Sequence, residues 1–126
     1  MQTKLDTPYV YYEIKNRILY ATYKKGVKID LSTAKEIVET RLHFMNGKTM
    51  PVIVFYEGNA SINKAARDFF ATEEGNRGLT AGAIILDSPV ASVLGNFFLL
   101  ITKPSIPAKT FADKSKALMW LSKFVN

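Results

Sequence analysis

The chain contains no cysteine, and His43 is its one histidine. The absence of cysteine excludes disulfide bonds, thiolate zinc sites and a cysteine nucleophile. The apolar run at residues 97–101 is far too short to cross a bilayer. Residues 1–6 lead into no apolar segment, so we expect neither a signal peptide nor a transmembrane segment. The expectation that follows is a cytoplasmic protein.

The chain also lacks a block of like charges, although its 126 residues carry a net charge of +6. The 17 basic residues are scattered, whereas nucleic-acid-binding proteins gather them into a patch or stripe. No acid lies between Asp87 and Asp113, while Lys103 and Lys109 do. We therefore predict no nucleic-acid partner and a mildly electropositive edge.

What the chain does contain is an alternation of strand-like and helix-like segments. Two β-branched and aromatic segments, 9–14 and 17–23, flank a polar break at Asn16, which is typical of an antiparallel hairpin. The unbroken apolar segment at 51–56 predicts a strand covered on both faces, as in parallel sheets. Residues 79–86, with Gly82 and small alanines among them, predict a further parallel strand that a helix can approach closely. The first strand of the hairpin, residues 9–14, is expected at the edge of the sheet, where it is available for pairing across a two-fold axis.

Four helices are predicted between and after these strands, each with a polar side chain at its start. The predicted caps are Asp30, Ser61, Ser88 (with Pro89 at the first helical position) and Asp113. The predicted order is β-β-α-β-α-β-α-β-α, in a single domain over residues 1–126, with right-handed crossovers. The fold class is therefore α/β, with one mixed, mainly parallel sheet.

Several segments together make the chain similar to a known family. They are Tyr11-Tyr12-Glu13-Ile14, Asp30-Leu31-Ser32-Thr33-Ala34-Lys35-Glu36-Ile37, Leu94-Gly95-Asn96-Phe97-Phe98, Lys103-Pro104-Ser105-Ile106-Pro107-Ala108-Lys109 and Ala117-Leu118-Met119-Trp120-Leu121. In this order they resemble the sulfate-transporter and anti-sigma-factor-antagonist (STAS) family, whose fold is called SpoIIAA-like. The chain is more closely similar to small uncharacterised STAS-like proteins found in Bacteroidetes.

This resemblance implies a fold and several roles, because the SpoIIAA-like fold serves more than one function. Some members are anti-sigma-factor antagonists, in which a serine of an Asp-Ser-Ser/Thr-Gly motif is phosphorylated by a partner kinase. The matching segment here is Glu57-Gly58-Asn59-Ala60-Ser61, which lacks the Asp-Ser pair and keeps Ser61 as its hydroxyl. Other STAS-like proteins hold an apolar pocket or act as interaction modules.

Ser61 is the candidate phosphosite, because a phosphate at a helix N-terminus lies in a favourable dipole field. The alternative is an ordinary helix cap. A second candidate site comprises Glu57, Asn59 and Asp87, which follow two adjacent parallel strands and so share the carboxyl edge where ligands bind open sheets. The alternative there is a set of solvated loop residues, because no third metal ligand is identifiable. We predict no catalytic residue, no metal and no cofactor.

The predicted helix from Pro89 to Ile101 is apolar nearly all round, which is typical of a helix buried on two sides. It is covered by another segment or it presents an exposed patch to a partner or to lipid. Phe97, Phe98 and Lys103 are the candidate interface residues. The tyrosines of the hairpin offer a second surface, since tyrosine buries its ring while its hydroxyl stays hydrated.

Four hypotheses about function remain open at this point. The first is a non-enzymatic STAS-like module that binds a protein partner of unknown identity or forms a homodimer. The second is a carrier of a small apolar ligand, with a cavity lined by Phe69, Phe70 and Leu94. The third is a phosphoregulated antagonist that uses Ser61. An enzyme is the fourth, and nothing in the chain indicates a nucleophile with its base or a metal constellation.

Overall fold

The computed structural model describes residues 2–125, and its centre is a six-stranded sheet. Eight strands and four α-helices follow one another along the described chain. In chain order they are β1 Lys4–Asp6, β2 Val10–Lys15, β3 Ile18–Tyr23, β4 Lys28–Ile29, α1 Leu31–Met45, β5 Met50–Tyr56, β6 Ser61–Ile62, α2 Lys64–Phe70, β7 Leu79–Ile85, α3 Pro89–Thr102, β8 Ala108–Phe111 and α4 Lys114–Leu121, with a final 3₁₀ turn, Ser122–Phe124.

The main sheet has the spatial order β1-β2-β3-β5-β7-β8. Strands β1, β2 and β3 pair antiparallel, while β3, β5, β7 and β8 pair parallel. The short strands β4 and β6 form a separate parallel pair. The six-stranded sheet is the mixed, mainly parallel sheet of an α/β fold that the sequence predicts.

The predicted hairpin is confirmed, but the strand expected at the sheet edge is not there. Asn16 and Arg17 both adopt positive φ, 52° and 64°, which is the geometry of the tight turn that joins β2 to β3. The prediction that the hairpin's first strand is an edge is wrong, because β1 pairs with β2 along three residues, from Lys4 opposite Glu13 to Asp6 opposite Tyr11. A three-residue strand is too short to show alternation in a sequence.

Helices cover both faces of the sheet. Side chains of α1 and α2, including Ile37, Phe44 and Ala66, join one buried cluster with Val52 of β5. On the opposite face, Ala117 and Leu121 of α4 pack with Ile53 of β5. Neighbouring residues of β5 thus serve opposite clusters, as the pleat of a strand requires.

Helix α1 begins where the sequence predicts. The carboxylate of Asp30 accepts a hydrogen bond from the Thr33 N–H at 2.9 Å, and this bond lowers the pKa of Asp30 below its ordinary value. Leu31 is the first residue of the helix, directly after this cap. At the other end Asn46 adopts a left-handed conformation with φ 52°.

A buried arginine of α1 holds the loop that follows α2. The Arg41 guanidinium donates to the carbonyl oxygens of Arg77 at 2.7 Å and Gly75 at 3.1 Å, and burial lowers its pKa. In the same loop, Asn76 Nδ2 donates to Ser105 Oγ at 3.0 Å. The core is therefore linked through this loop to the connector between α3 and β8.

Candidate functional site

Helix α3 is the feature that distinguishes the surface of this molecule. Ser88 caps its start, because the Ser88 hydroxyl accepts from the Ala91 N–H at 3.1 Å, and Pro89 occupies the first turn. Lys103 ends the helix in a left-handed conformation with φ 52°, and its N–H donates to the Leu99 carbonyl. Both boundaries agree with the sequence-based prediction.

The helix turns its small and polar side chains inward, against the edge strand β8. Thr110 lies beside Ile84 and Val54 in register, so its side chain is on the same sheet face as α1 and α2. The Asn96 amide makes two bonds to the backbone of Thr110: its Oδ1 accepts from the N–H at 2.8 Å, and its Nδ2 donates to the carbonyl at 3.3 Å. The Thr110 hydroxyl in turn donates to the Ser92 carbonyl. Polar contacts thus attach helix α3 to β8.

Gly95 sets the close approach between α3 and the sheet. A Cβ atom at this position would lie 2.7 Å from Thr110 Cγ2 and 2.9 Å from Leu86 Cδ1. Both distances are shorter than real Cβ contacts, so a larger residue would force Thr110, Leu86 or the helix itself to shift. The glycine is required here for space, and not for an unusual φ.

The large apolar side chains of α3 point to solvent. Seven of them have exposed fractions between 60% and 74%. At about 100° of rotation per residue they occupy one arc of the helix, roughly 160° wide. We call this surface the outer face; its residues are Val90, Val93, Leu94, Phe97, Phe98, Leu100 and Ile101.

The structure places the three candidate interface residues together at this surface. Phe97 and Phe98 are 62% and 66% exposed, and Lys103 is exposed at the end of the helix. Burial of α3 on two sides, the alternative left open by the sequence, is not observed. The sequence analysis did not predict that Asn96 and Ser92 face the sheet. Two polar side chains four residues apart in an apolar helix do indicate which side of the helix contacts the rest of the protein.

The second candidate site, at the carboxyl edge, does not form a cluster. Strands β5 and β7 pair in parallel, with Val54 beside Ile84, so Glu57 and Asp87 do follow neighbouring strand ends. However, Glu57 Oε1 accepts from the Lys25 N–H at 3.0 Å, on the β3 side of β5 and away from β7. Asn59 lies in the next turn with φ 62°, and Asp87 is exposed. Within residues 2–125, no group of three or more acidic or histidine side chains is arranged to hold a metal ion.

Ser61 does not cap α2, so that prediction is wrong. Ser61 belongs to strand β6, and its N–H donates to the Val27 carbonyl at 2.9 Å. The cap is Asn63, whose Oδ1 accepts from the Ala66 N–H at 2.9 Å. Asparagine is as good a cap as serine, and the β4–β6 pair that displaces Ser61 joins residues distant in sequence. Ser61 is exposed, and its phosphorylation stays a prediction without the support of a helix dipole.

The residues proposed to line an apolar cavity lie apart. Phe69 and Phe70 pack against the cluster beneath α1 and α2, and the Phe70 ring meets the Tyr23 ring at 6.5 Å. Leu94 belongs to the outer face and is 60% exposed. The tyrosine surface is also reduced, because Tyr12 and Tyr23 are buried in the core, and burial raises the pKa of both phenols.

A family model describes nearly the whole of this chain. The model of the domain of unknown function DUF7793 matches residues 12–125. The chain belongs to the DUF7793 family. No curated protein matches it.

The fold of this DUF7793 domain is similar to that of a solved bacterial protein. An uncharacterized protein of the DUF3478 family from Shewanella loihica PV-4, described as having a SpoIIAA-like fold, matches with a TM-score of 0.54 and 18% identity. The match covers 89% of this chain and 91% of that one. A protein of unknown function from Arthrobacter sp. FB24 matches with a TM-score of 0.31 and 20% identity, over 89% and 92% of the two chains. The expected SpoIIAA-like fold is confirmed, while the closer kinship with Bacteroidetes proteins stays a prediction.

In the part of this DUF7793 domain that the structure describes, no helix combines the length and the apolar character needed to span a bilayer. The longest strongly apolar helix is α3, with 14 residues. A spanning helix needs about 20 residues.

Proposed function

We propose that this chain is a non-enzymatic protein-interaction module and that the outer face of α3 is its binding surface. One observation carries the proposal. Seven large apolar side chains lie side by side on one helix, each at least 60% exposed. At roughly 130 Å² of exposed surface each they form a patch of about 900 Å², whereas the largest patch of a typical monomer is about 300–600 Å².

The way α3 is attached supports the same proposal. If the helix served only to cover the sheet, its apolar side chains would face β8 and its polar ones would face water. The observed orientation is the reverse, and the bonds from Asn96 to Thr110 fix it. The molecule thus holds an apolar surface toward solvent, which is the arrangement expected of an interface awaiting its partner.

The proposal keeps two further expectations. The resemblance to the STAS family is consistent with it, because other members act as interaction modules. A cytoplasmic location also remains an expectation from the sequence. Neither the apolar-ligand carrier nor the Ser61 switch gains an observation that favours it.

The first prediction is that Phe97→Asp separates this protein from its complexes in cells. A charge at the centre of the outer face opposes burial against an apolar partner, and Phe97 is too exposed to matter for the fold. We expect the tagged wild-type chain to elute from a lysate of its native cell well above its own mass of 14.1 kDa. The Phe97→Asp variant should elute as a monomer.

The matched control is Met119→Asp, which places the same charge on an exposed apolar residue of α4. Met119 is 73% exposed and lies on the other side of the sheet from α1 and α2. We expect this variant to keep the wild-type elution. A wild-type chain that elutes as a monomer, or a complex that survives Phe97→Asp, would show the proposal to be wrong.

A further inference from the structure

The centre of the outer face has the spacing of a helix-pairing seam. Val90, Leu94, Phe97 and Ile101 are separated by four, three and four residues. This is the alternation of heptad positions d, a, d and a, which holds two helices together along one line. Helix α3 therefore presents a short coiled-coil seam on the surface of an α/β domain.

The seam is complementary to its own reverse. Turning the helix around the midpoint between Gly95 and Asn96 places Val90 opposite Ile101 and Leu94 opposite Phe97. Each a position then meets a d position, which is the layer type of antiparallel helix pairs. A surface that fits its own reverse is what a two-fold symmetric interface requires.

The charges at the two ends of α3 favour the same arrangement. Exposed Asp87 precedes the helix and exposed Lys103 follows it, and no charged residue lies between them. In an antiparallel pair, Lys103 of each copy lies near Asp87 of the other, and the helix dipoles oppose one another favourably. A parallel pair would instead bring like charges together at both ends.

The size of the outer face also suits a second copy. Its exposed area of about 900 Å² is the most that a second copy could bury there, and it exceeds the ~800 Å² per partner of a standard protein interface. A lipid surface is the weaker fit, because helices that lie in a membrane interface carry lysine and arginine along their polar side. Between Pro89 and Thr102 there is none, and the polar side is bonded to β8.

We propose that the outer face binds the same face of a second copy of this chain, with the two α3 helices antiparallel about a two-fold axis between Gly95 and Asn96. This inference rests on the proposed function, since it names the protein that the outer face binds. The two copies would bury the Val90–Ile101 and Leu94–Phe97 layers and leave both sheets on the outside of the dimer.

The second prediction concerns cross-linking between introduced cysteines. Because the chain has no cysteine of its own, each introduced thiol is the only one that a cross-linker can modify. In the antiparallel pair, Val90 of one copy faces Ile101 of the other, whereas the two Val90 residues lie about 16 Å apart along the axis. The reagent is a thiol-specific cross-linker that is too short to span half that distance. We expect a mixture of purified Val90→Cys and Ile101→Cys proteins to give a cross-linked dimer, and Val90→Cys alone to remain monomeric on a denaturing gel.

Sedimentation equilibrium of the unsubstituted protein provides a readout free of any variant. We expect its mass to rise with concentration from 14.1 kDa to twice that value. Cross-linking of Val90→Cys to itself would overturn the antiparallel orientation. A monomer at every concentration, with binding only to added vesicles of anionic lipid or to another protein, would overturn the second copy as occupant.

Failure of this inference is distinguishable from failure of the proposed function. If the purified chain is monomeric but Phe97→Asp still removes it from its complexes in the lysate, the outer face binds a different protein and the proposed dimer is wrong. If neither the purified chain nor the lysate shows association that depends on Phe97, both are wrong.

Discussion

Gly75 is a position where a single methyl group has no room. A Cβ atom there would lie 2.1 Å from the Phe69 carbonyl oxygen and 2.9 Å from Phe70 Cα, both of them backbone atoms that cannot move aside. The same residue donates its N–H to the Thr72 hydroxyl and receives the Arg41 guanidinium at its carbonyl. The conformation of the loop after α2 therefore requires glycine at position 75.

The third prediction concerns this residue. Gly75→Ala should lower the free energy of unfolding by about 2–3 kcal/mol, because overpacking against backbone forces the loop away from Arg41. Gly58→Ala is the matched control, since a Cβ atom there meets nothing within 4 Å. We expect it to change stability by less than about 1 kcal/mol. Urea unfolding of the two variants measures both values, and equal stability would contradict the steric argument.

Local signals at the residue scale were predictable where the chemistry is local. Asp30 accepts from a backbone N–H three residues away, and Asn16 adopts the positive φ of a tight turn, so the roles of both follow from the sequence alone. Ser61 illustrates the opposite case, because its strand partner Lys28 lies far away in sequence. Arg41 was also missed, since its partners belong to a distant loop.

At the scale of elements, α3 is held to β8 by a side-chain amide that takes the place of a neighbouring strand. Asn96 satisfies both the N–H and the carbonyl of Thr110. The boundaries of α3 were predictable from Ser88 and Pro89, but its orientation was not. When a helix is apolar nearly all round, its sequence does not indicate which side faces the sheet. The contacts with Thr110 determine that side.

The fourth prediction tests this attachment. Asn96→Ala leaves two backbone groups of Thr110 without partners, at a cost of about 1–3 kcal/mol. Since the cost falls on one contact, we expect the Thr110 amide to exchange with deuterium roughly tenfold faster or more. The Ala117 amide, which belongs to α4, is the internal control and should keep its exchange rate. Unchanged exchange at Thr110 would show that Asn96 does not hold the helix.

At the scale of the whole molecule, stability and association are coupled if α3 binds a second copy. Unfolding a self-paired protein also separates its copies, so the transition temperature depends on protein concentration. Trp120 provides the signal, because it packs between Phe111 and Phe124 at ring distances of 5.8 Å and 5.0 Å. These residues belong to the cluster covered by α4, so the fluorescence reports unfolding and not contact at the outer face.

The fifth prediction follows from this coupling. We expect the transition temperature of the wild-type protein to rise by several degrees as its concentration is increased, whereas that of Phe97→Asp stays constant. Fluorescence of Trp120 during heating measures both. A wild-type transition that is independent of concentration would argue against self-pairing.

The class of the fold and the chain order of its main strands and helices were predictable because they follow from alternation along the chain. The parallel strand β5 is a continuous apolar segment, and both β5 and β7 have buried residues on both faces. The edge was not predictable, because β1 gains its place from pairing with β2 instead of from a pattern of its own.

The amide of Asn96 has a consequence for how this protein behaves when it is crowded. Cross-β fibrils grow when an unpaired strand templates the next chain, and the backbone of β8 at Thr110 offers no free groups for that purpose. The opposite margin of the sheet is a strand of three residues with exposed Lys4 and Asp6, which discourages addition by its shortness and its charge. At these residues both edges of the sheet therefore discourage the addition of a strand from another chain, while the outer face of α3 stays open to another helix.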